Sequence, residues 1–159
     1  MKIYIIGPSG SGKTTLSKKL AKKYRTKAYE LDCIKYDDGN DHRKRTKEEI
    51  DNMFNEILKK KSWIIEDIGR EEFTRGLELS DKIYYLKLPR NRVYLMVIKR
   101  WIKQRLGKED YNYPPTLFQF FDMLRVAKSY YKKEPEKLKR LEKYHEKVEY
   151  LSYKELNKF

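Results

Sequence analysis

The sequence has a single cysteine and no long apolar run. One thiol, Cys33, excludes an internal disulfide and is typical of a protein in a reducing cytoplasm. No stretch approaches the ~18 apolar residues that a transmembrane helix requires. The apolar start, Ile3–Ile6, is too short for the core of a signal peptide and leads directly into a glycine-containing segment. We therefore expect a cytoplasmic protein without a membrane segment.

Acidic residues are scarce in the second half of the chain. Residues 87–159 carry 19 Lys and Arg against 9 Asp and Glu, and residues 87–108 include eight basic residues and no acid. The net charge of the whole chain is +14. Such a basic field indicates an anionic partner, either nucleotide phosphates or a nucleic-acid backbone. The sequence has no recognisable helix-turn-helix or RNA-binding motif, so nucleic acid is the less favoured of the two.

Short apolar runs alternate with helical patterns, which is typical of βαβ units and a parallel sheet. Thr46 and Glu49 have the spacing of an N-terminal helix cap. The 159 residues are enough for one domain and too few for two ordinary ones, so we expect a single α/β domain over 1–159. The predicted strands are 3–6, 28–32, 63–67, 82–88 and 148–151. The predicted helices are about 13–24, the helix that Thr46 caps, 71–79, 91–106, 116–133 and 136–144.

Residues 7–14, Gly-Pro-Ser-Gly-Ser-Gly-Lys-Thr, fit the phosphate-binding pattern G-x-x-x-x-G-K-[ST] between a predicted strand and a predicted helix. Phosphate oxygens need several N–H donors in a concave loop. Glycines permit positive φ and a close approach of the backbone, and the helix N-terminus adds partial positive charge. The sequence therefore predicts a nucleotide-phosphate site formed by Gly7, Ser9, Gly10, Ser11, Gly12, Lys13, Thr14 and Thr15.

Two side chains of this motif have predicted chemical roles. Lys13 would reach the β- and γ-phosphates of ATP, and the Thr14 hydroxyl would ligate Mg²⁺. The expected cofactors are therefore ATP and Mg²⁺. The D-x-x-G and N-K-x-D motifs of GTPases are absent from the sequence. This pattern favours a small nucleoside- or nucleotide-kinase type of protein, with a helical lid at the basic, proline-closed segment of about 90–115.

The chain resembles a known family in three further segments: Tyr29–Asp32, Ser62–Glu66 and Arg100–Arg105. They look like the adenylate-kinase-like proteins labelled DNA topology modulation protein FlaR, over nearly the whole length. The resemblance implies a P-loop kinase fold with a five-stranded parallel sheet of order 2-3-1-4-5, similar to shikimate, gluconate and adenylate kinases. Such proteins often continue after the third strand with a Gly-Asn-Tyr-like turn, whereas this chain has Asp67–Arg70. We therefore expect a different acceptor pocket.

Three carboxylates are candidates for the chemistry. Asp32 follows the second predicted strand, at the edge where open α/β sheets bind their ligands, and could take a proton from an acceptor hydroxyl. Small-molecule kinases that resemble this chain have an Asp there for the acceptor or for magnesium. Glu66 and Asp67 end the third strand, and either could hold Mg²⁺-bound water. The alternative for each carboxylate is a capping role in the turn that follows it.

Arginines are the candidates for charge neutralisation at the transferring phosphate. Arg100 and Arg105 of the predicted lid are the first choices, with Arg92 behind them, and the alternative is a solvated helix face. Arg70 could bind a phosphate of the acceptor.

Three functions remain open from the sequence alone. The favoured one is an ATP-dependent kinase acting on a nucleoside, a nucleotide or a related metabolite. The second is a DNA-associated, nucleotide-binding regulator, indicated by the net charge and by the family label. The third is a P-loop protein that binds nucleotide without catalysis. The expected partners are a nucleotide and a small acceptor, and the protein is expected to be a monomer or a homodimer.

Overall fold

The computed structural model describes residues 1–36, 43–109, 114–156 and 158–159. The strands are β1 (Lys2–Ile6), β2 (Ala28–Glu30), β3 (Trp63–Asp67), β4 (Lys82–Leu86) and β5 (Val148–Leu151). The helices are α1 (Lys13–Tyr24), α2 (Leu31–Lys35), α3 (Lys47–Leu58), α4 (Thr74–Leu79), α5 (Arg90–Arg105), α6 (Leu117–Lys132), α7 (Glu134–Leu141) and α8 (Tyr153–Leu156). Short 3₁₀ turns lie at Glu71–Phe73 and Glu142–Tyr144. No helix within these ranges is long and apolar enough to cross a membrane.

The strands form one parallel sheet in the order β2-β3-β1-β4-β5, which confirms the predicted fold class and strand order. In the centre, β1 pairs with β3 and β4, and the register places Ile6 beside Asp67. Parallel strands end at the same edge of a sheet, where α/β proteins bind their ligands. The residues that follow β1, β2 and β3 therefore lie close together at that edge.

Both faces of the central strands are buried because helices cover the sheet on both sides. Tyr4 and Ile6 pack in the cluster that includes buried residues of α3, α4 and α7, whereas Ile3 and Ile5 pack against α1. This alternation follows from the pleat of a strand, in which successive side chains point to opposite faces. The near-continuous apolar runs of β1 and β3 are thus explained by burial on two sides.

The predicted N-terminal cap of α3 is confirmed. The Thr46 hydroxyl accepts a hydrogen bond from the Glu49 backbone N–H at 3.2 Å, and the Glu49 carboxylate accepts one from the Thr46 N–H at 2.7 Å. These reciprocal bonds satisfy two backbone donors that a helix start would otherwise leave unpaired.

A third apolar cluster joins α5 to α6 beside the sheet. Its buried members are Leu88, Val93, Val97 and Ala127. Val97 also packs against the segment that follows β1, since a Cβ on Gly10 would lie 3.0 Å from Val97 Cγ2. The first half of α5 is therefore fixed both to α6 and to the glycine-rich loop.

Several element boundaries differ from the sequence prediction. The second strand was predicted to reach Asp32, but β2 ends at Glu30 and Asp32 lies in the first turn of α2. As an edge strand β2 pairs with β3 alone, and the buried Leu31 then turns into the core below α3. The fourth strand ends at Leu86 rather than 88, and α7 begins at Glu134, with Pro135 in its first turn.

Candidate active site

The glycine-rich loop between β1 and α1 has a backbone suited to binding an anion. Gly10 and Gly12 have φ of +76° and +92°, in the left-handed region that favours glycine. Gly12 caps α1 without any side-chain hydrogen bond, and the first turn of the helix has no acidic residue. The amide donors of this helix start are therefore not capped by a side chain, and the helix dipole favours negative charge there.

Close packing fixes the path of this loop. A Cβ on Gly7 would lie 2.9 Å from both Leu86 Cβ and Ser11 Oγ, so any larger residue would displace the loop from β4. The Ser11 N–H donates to the Pro8 carbonyl at 3.2 Å, and the Gly7 N–H donates to the Asp67 carbonyl at 3.3 Å. The loop is thus held at the end of β3, where the candidate acids lie.

Lys13 lies between the loop and three carboxylates. Its ammonium donates to the Pro8 carbonyl at 2.8 Å. Although the residue retains some exposed surface, desolvation of the amino group lowers its pKa, and Glu66, Asp32 and Asp67 oppose that shift. The structure therefore brings the predicted phosphate-binding lysine together with all three predicted acids.

Glu66 is buried and has no hydrogen-bond partner for either carboxylate oxygen in the described part of the chain. Burial raises its pKa to about 7, with Lys13 opposing the shift, Glu30 adding to it, and the Thr14 hydroxyl acting to lower it. A carboxylate in the protein interior is unfavourable unless a cation or a hydrogen-bond donor binds it. Oxygen ligands from a hydroxyl and a carboxylate suit Mg²⁺, so Thr14 and Glu66 fit a magnesium site.

Asp67 and Asp32 are instead joined through one arginine. The fully buried Asp67 side chain accepts from the Arg70 backbone N–H and from Arg70 Nη1, each at 2.5 Å, and Arg70 Nη2 donates to Asp32 Oδ1. Asp67 is therefore occupied by Arg70 on both oxygens. Asp32, with 64% of its side chain exposed, has its second oxygen free of any hydrogen bond to the described residues.

The arginines of the predicted lid lie away from these acids. Arg100 Nε is 3.4 Å from Glu109 Oε1, Arg105 lies 5.4 Å over the Trp101 ring, and Arg92 lies 3.9 Å over the Tyr153 ring. Residues 110–113 of the predicted lid are outside the described residues. The structure thus does not bring Arg100, Arg105 or Arg92 into contact with Lys13.

A cavity of about 720 Å³ opens beside Arg70 and contains functional candidates that the sequence analysis missed. Seven Lys and Arg and three Glu line it, and α6 and α7 provide most of its far wall. Among these charged residues Lys137 is the buried one, with 7% of its surface exposed. In the sequence it lies in a Lys/Glu-rich stretch that is typical of a solvated helix, and no local signal distinguishes it from its neighbours.

The fold and this edge define a P-loop protein of the α/β class. A family model described as AAA domain matches residues 3–116, which is more than two thirds of the chain. The chain therefore belongs to this P-loop AAA-domain family. No curated protein matches it in sequence.

Solved structures with a similar fold include two small-molecule kinases. Shikimate kinase from Bacteroides thetaiotaomicron is 15% identical with a TM-score of 0.50, covering 84% of this chain and 79% of its own. A gluconokinase from Sinorhizobium meliloti 1021 is 14% identical with a TM-score of 0.47, covering 86% and 94%. The first likeness supports the fold alone, and the second is too distant to add to it.

Proposed function

We propose that the protein is an ATP-dependent phosphotransferase that moves the γ-phosphate of ATP to a hydroxyl group of a small acceptor. The observation that carries the proposal is the position of Lys13, between an anion-binding loop and three carboxylates, two of which pair with Arg70 in the wall of a charged cavity. Phosphoryl transfer requires a protein mainly to position the groups and to stabilise charge. This edge of the sheet offers donors for the phosphates and acids for the acceptor.

On the donor side, the amides from Ser9 to Thr15 would bind the phosphates and Lys13 would offset charge on the transferring group. Thr14 and Glu66 would hold Mg²⁺, which would supply positive charge to offset the charge of the phosphates. Arg100 and Arg105 remain our candidates for neutralising charge from a lid over about 90–115.

On the acceptor side, we assign Asp32 as the group that takes the proton of the acceptor hydroxyl. Its free oxygen would accept the hydroxyl proton as the acceptor oxygen bonds to the γ-phosphorus and the bond from phosphorus to the ADP oxygen breaks. Arg70 orients this carboxylate through Oδ1 and is itself fixed by Asp67. Glu66 and Asp67 are less suited to this proton transfer, because one faces Thr14 and the other is fully paired.

The experiment that tests the proposal is an ADP-release assay with ATP and Mg²⁺ against nucleosides, nucleoside monophosphates and small hydroxy acids. Lys13→Ala serves as the blank, and Lys18→Ala, an exposed lysine of the same helix, serves as the matched control. We expect turnover with one acceptor class, lost in the first variant and retained in the second. Equal turnover in the protein and in Lys13→Ala would contradict the proposal.

A second function is favoured by the acid-free stretch 87–108 and by the resemblance to FlaR-type proteins. It is a nucleotide-dependent regulator that binds DNA, and its affinity would fall steeply with salt. This function replaces the first if ATP binds but no acceptor gives turnover, and if the protein binds duplex DNA more tightly than an unrelated protein of equal charge does.

Within the first function, adenylate-kinase-like specificity is supported if nucleoside monophosphates alone are turned over.

A further inference from the structure

Lys137 is a largely buried lysine that lines the cavity and has no counterion among the described residues. Its residue is 7% exposed, and its ammonium lies 3.8 Å over the ring of Tyr130. Within the described residues this ammonium forms no hydrogen bond and no ion pair. Lysine is almost never buried in this way unless it is paired, because removing an ammonium from water is costly.

The backbone of the sheet edge makes room for this side chain. Gly69, just after β3, has a φ of +80°, and a Cβ there would lie 3.2 Å from Lys137 Cδ. Burial lowers the pKa of Lys137 to about 8, with Asp67 and Glu134 opposing the shift and Arg140 and Lys133 adding to it. Lys137 therefore lies in the wall of the cavity, near enough to Asp67 for the two charges to interact.

Three other cations that line this cavity already have partners. Arg70 is paired with Asp67 and Asp32, and Lys35 is paired with Glu72 at 2.7 Å. Arg140 Nη2 donates to the Gly69 carbonyl at 2.8 Å.

The nearest acid of α7 is also occupied. Glu134 accepts from the Tyr85 hydroxyl at 2.7 Å, and that hydroxyl in turn accepts from Tyr130 at 3.1 Å. Arg70, which the sequence suggested for an acceptor phosphate, is thus committed to the two aspartates. Lys137 is the buried cation of this cavity that still lacks a negative partner.

We propose that the acceptor carries an anionic group, a carboxylate or a phosphate monoester, and that this group binds Lys137. The proposal rests on the phosphotransferase function above and names the substrate class of the same site. The charge of Asp67 interacts with the ammonium groups of both Lys13 and Lys137. The acceptor is therefore arranged with the aspartates between its hydroxyl and its anionic group. The acceptor hydroxyl lies at Asp32, on the side of Lys13, and the anionic group lies beyond the aspartates.

Such a site selects against neutral analogues. An acceptor without the anionic group would leave Lys137 buried and unpaired, and sites that lose a required partner discriminate strongly. The binding preference therefore follows from the cost of leaving the ammonium unpaired as much as from the attraction of the acid.

The test is a calorimetric titration of the full chain, which is first saturated with ADP in the absence of added metal. Inorganic phosphate is the titrant in one series and malonate in a second. ADP occupies the part of the loop that binds its own two phosphates, and the difference between the protein and Lys137→Gln isolates the anion binding at the cavity. We expect Lys137→Gln to weaken binding of at least one anion by 10-fold or more, on the order expected for one charge-assisted pair. Lys137→Arg should retain binding, and Lys132→Gln, an exposed lysine of α6 outside the cavity, should leave it unchanged.

The anion that binds more tightly through Lys137 identifies the group on the acceptor. Equal affinities in the protein, Lys137→Gln and Lys132→Gln for both anions would overturn the proposal. The titration requires no turnover, so its failure is separate from that of the phosphotransferase. Anion binding through Lys137 without transfer to any acceptor contradicts the phosphotransferase alone, and transfer without an effect of Lys137→Gln contradicts the anion site alone.

Discussion

The donor side and the acceptor side of the proposed active site are built in different ways. The donor side is a continuous loop, residues 7–14, whose glycines and helix start form an anion site with the main chain. The acceptor side is assembled from α2, the end of β3, α6 and α7, and works through charged side chains. The difference shows that a group common to many substrates can be bound by a local motif, whereas a particular acceptor requires distant segments.

Charge is also distributed differently on the two sides. Beside the loop, Glu66 is a buried acid without a hydrogen-bond partner among the described residues. On the acceptor side the acids Asp67 and Asp32 are paired through Arg70, and the cation Lys137 is unpaired. Beside the anion-binding loop, Glu66 thus favours an incoming cation, whereas Lys137 on the acceptor side favours an incoming anion.

The largest effect is expected on the donor side. Lys13→Ala should lower kcat about 1000-fold, because a preorganised charge at the transferring phosphate is lost. The free energy of unfolding should change little, since the ammonium is desolvated in the folded state and its removal relieves that cost. Steady-state kinetics and chemical denaturation measure the two quantities. A tenfold or smaller loss of kcat would show that the loop amides suffice without the lysine.

Arg70→Met should have the largest effect on stability. The free energy of unfolding should fall by about 3 kcal/mol, because the buried Asp67 carboxylate loses its ion pair. The matched control is Arg75→Met, whose exposed guanidinium bonds only Asn55 among the described residues. Denaturation of the double variant with Asp67→Asn should recover part of the loss. Equal destabilisation by Arg70→Met and Arg75→Met would contradict the paired arrangement.

Asp32→Asn should separate chemistry from folding. We expect kcat to fall about 100-fold because the proton acceptor is lost, while KM for ATP and the free energy of unfolding stay near their original values. The exposed Asp51→Asn on α3 is the control. An unchanged kcat would transfer the role of proton acceptor to another carboxylate, with Glu66 the first to examine.

The smallest effect is a gain in stability at the acceptor side. Lys137→Met should raise the free energy of unfolding by about 1 kcal/mol at pH 7, because a buried unpaired cation is replaced by an apolar chain. The pKa of Lys137 in the folded state, about 8, lies below its ordinary value. Between pH 8 and the ordinary pKa of lysine, the unfolded chain therefore binds more protons than the folded protein does. The free energy of unfolding of the unsubstituted protein rises with pH across that range. Denaturation at several pH values should show that the gain in free energy of unfolding from Lys137→Met becomes smaller as the pH rises. A gain that does not change with pH would contradict an effect of the lysine charge.

The sequence predicts the donor side well because each requirement there is local. Strand, glycines, lysine and helix follow one another within residues 3–24, and the structure has them in that order. The strand order was predicted through a family resemblance, since spacing alone does not determine which parallel strands are neighbours. The sequence did not predict that Asp32 lies on a helix. The edge strand β2 has one neighbour, β3, and the residue at which such a strand ends depends on packing rather than on local propensity.

The acceptor side could be predicted only in part. Asp32, Glu66 and Asp67 were found because they lie at or just after the ends of strands of a parallel sheet, and these ends meet at one edge. Their different states depend on Arg70, which pairs with two of them and leaves Glu66 alone. Lys137 has the sequence surroundings of a solvated lysine and becomes buried only when α7 packs against Gly69. Tertiary contacts of this kind have no signature in spacing.

The contact between Gly10 and Val97 limits how a lid could open. Val97 lies in the middle of α5, so close to the loop that a Cβ on Gly10 would be 3.0 Å from Val97 Cγ2. Swinging all of α5 outward would remove this side chain and leave an empty space beneath the loop, which would lower the stability of the phosphate site itself. A hinge compatible with an intact loop must therefore lie after Val97, so that the second half of the helix swings while its first half serves as the fixed wall of the nucleotide site.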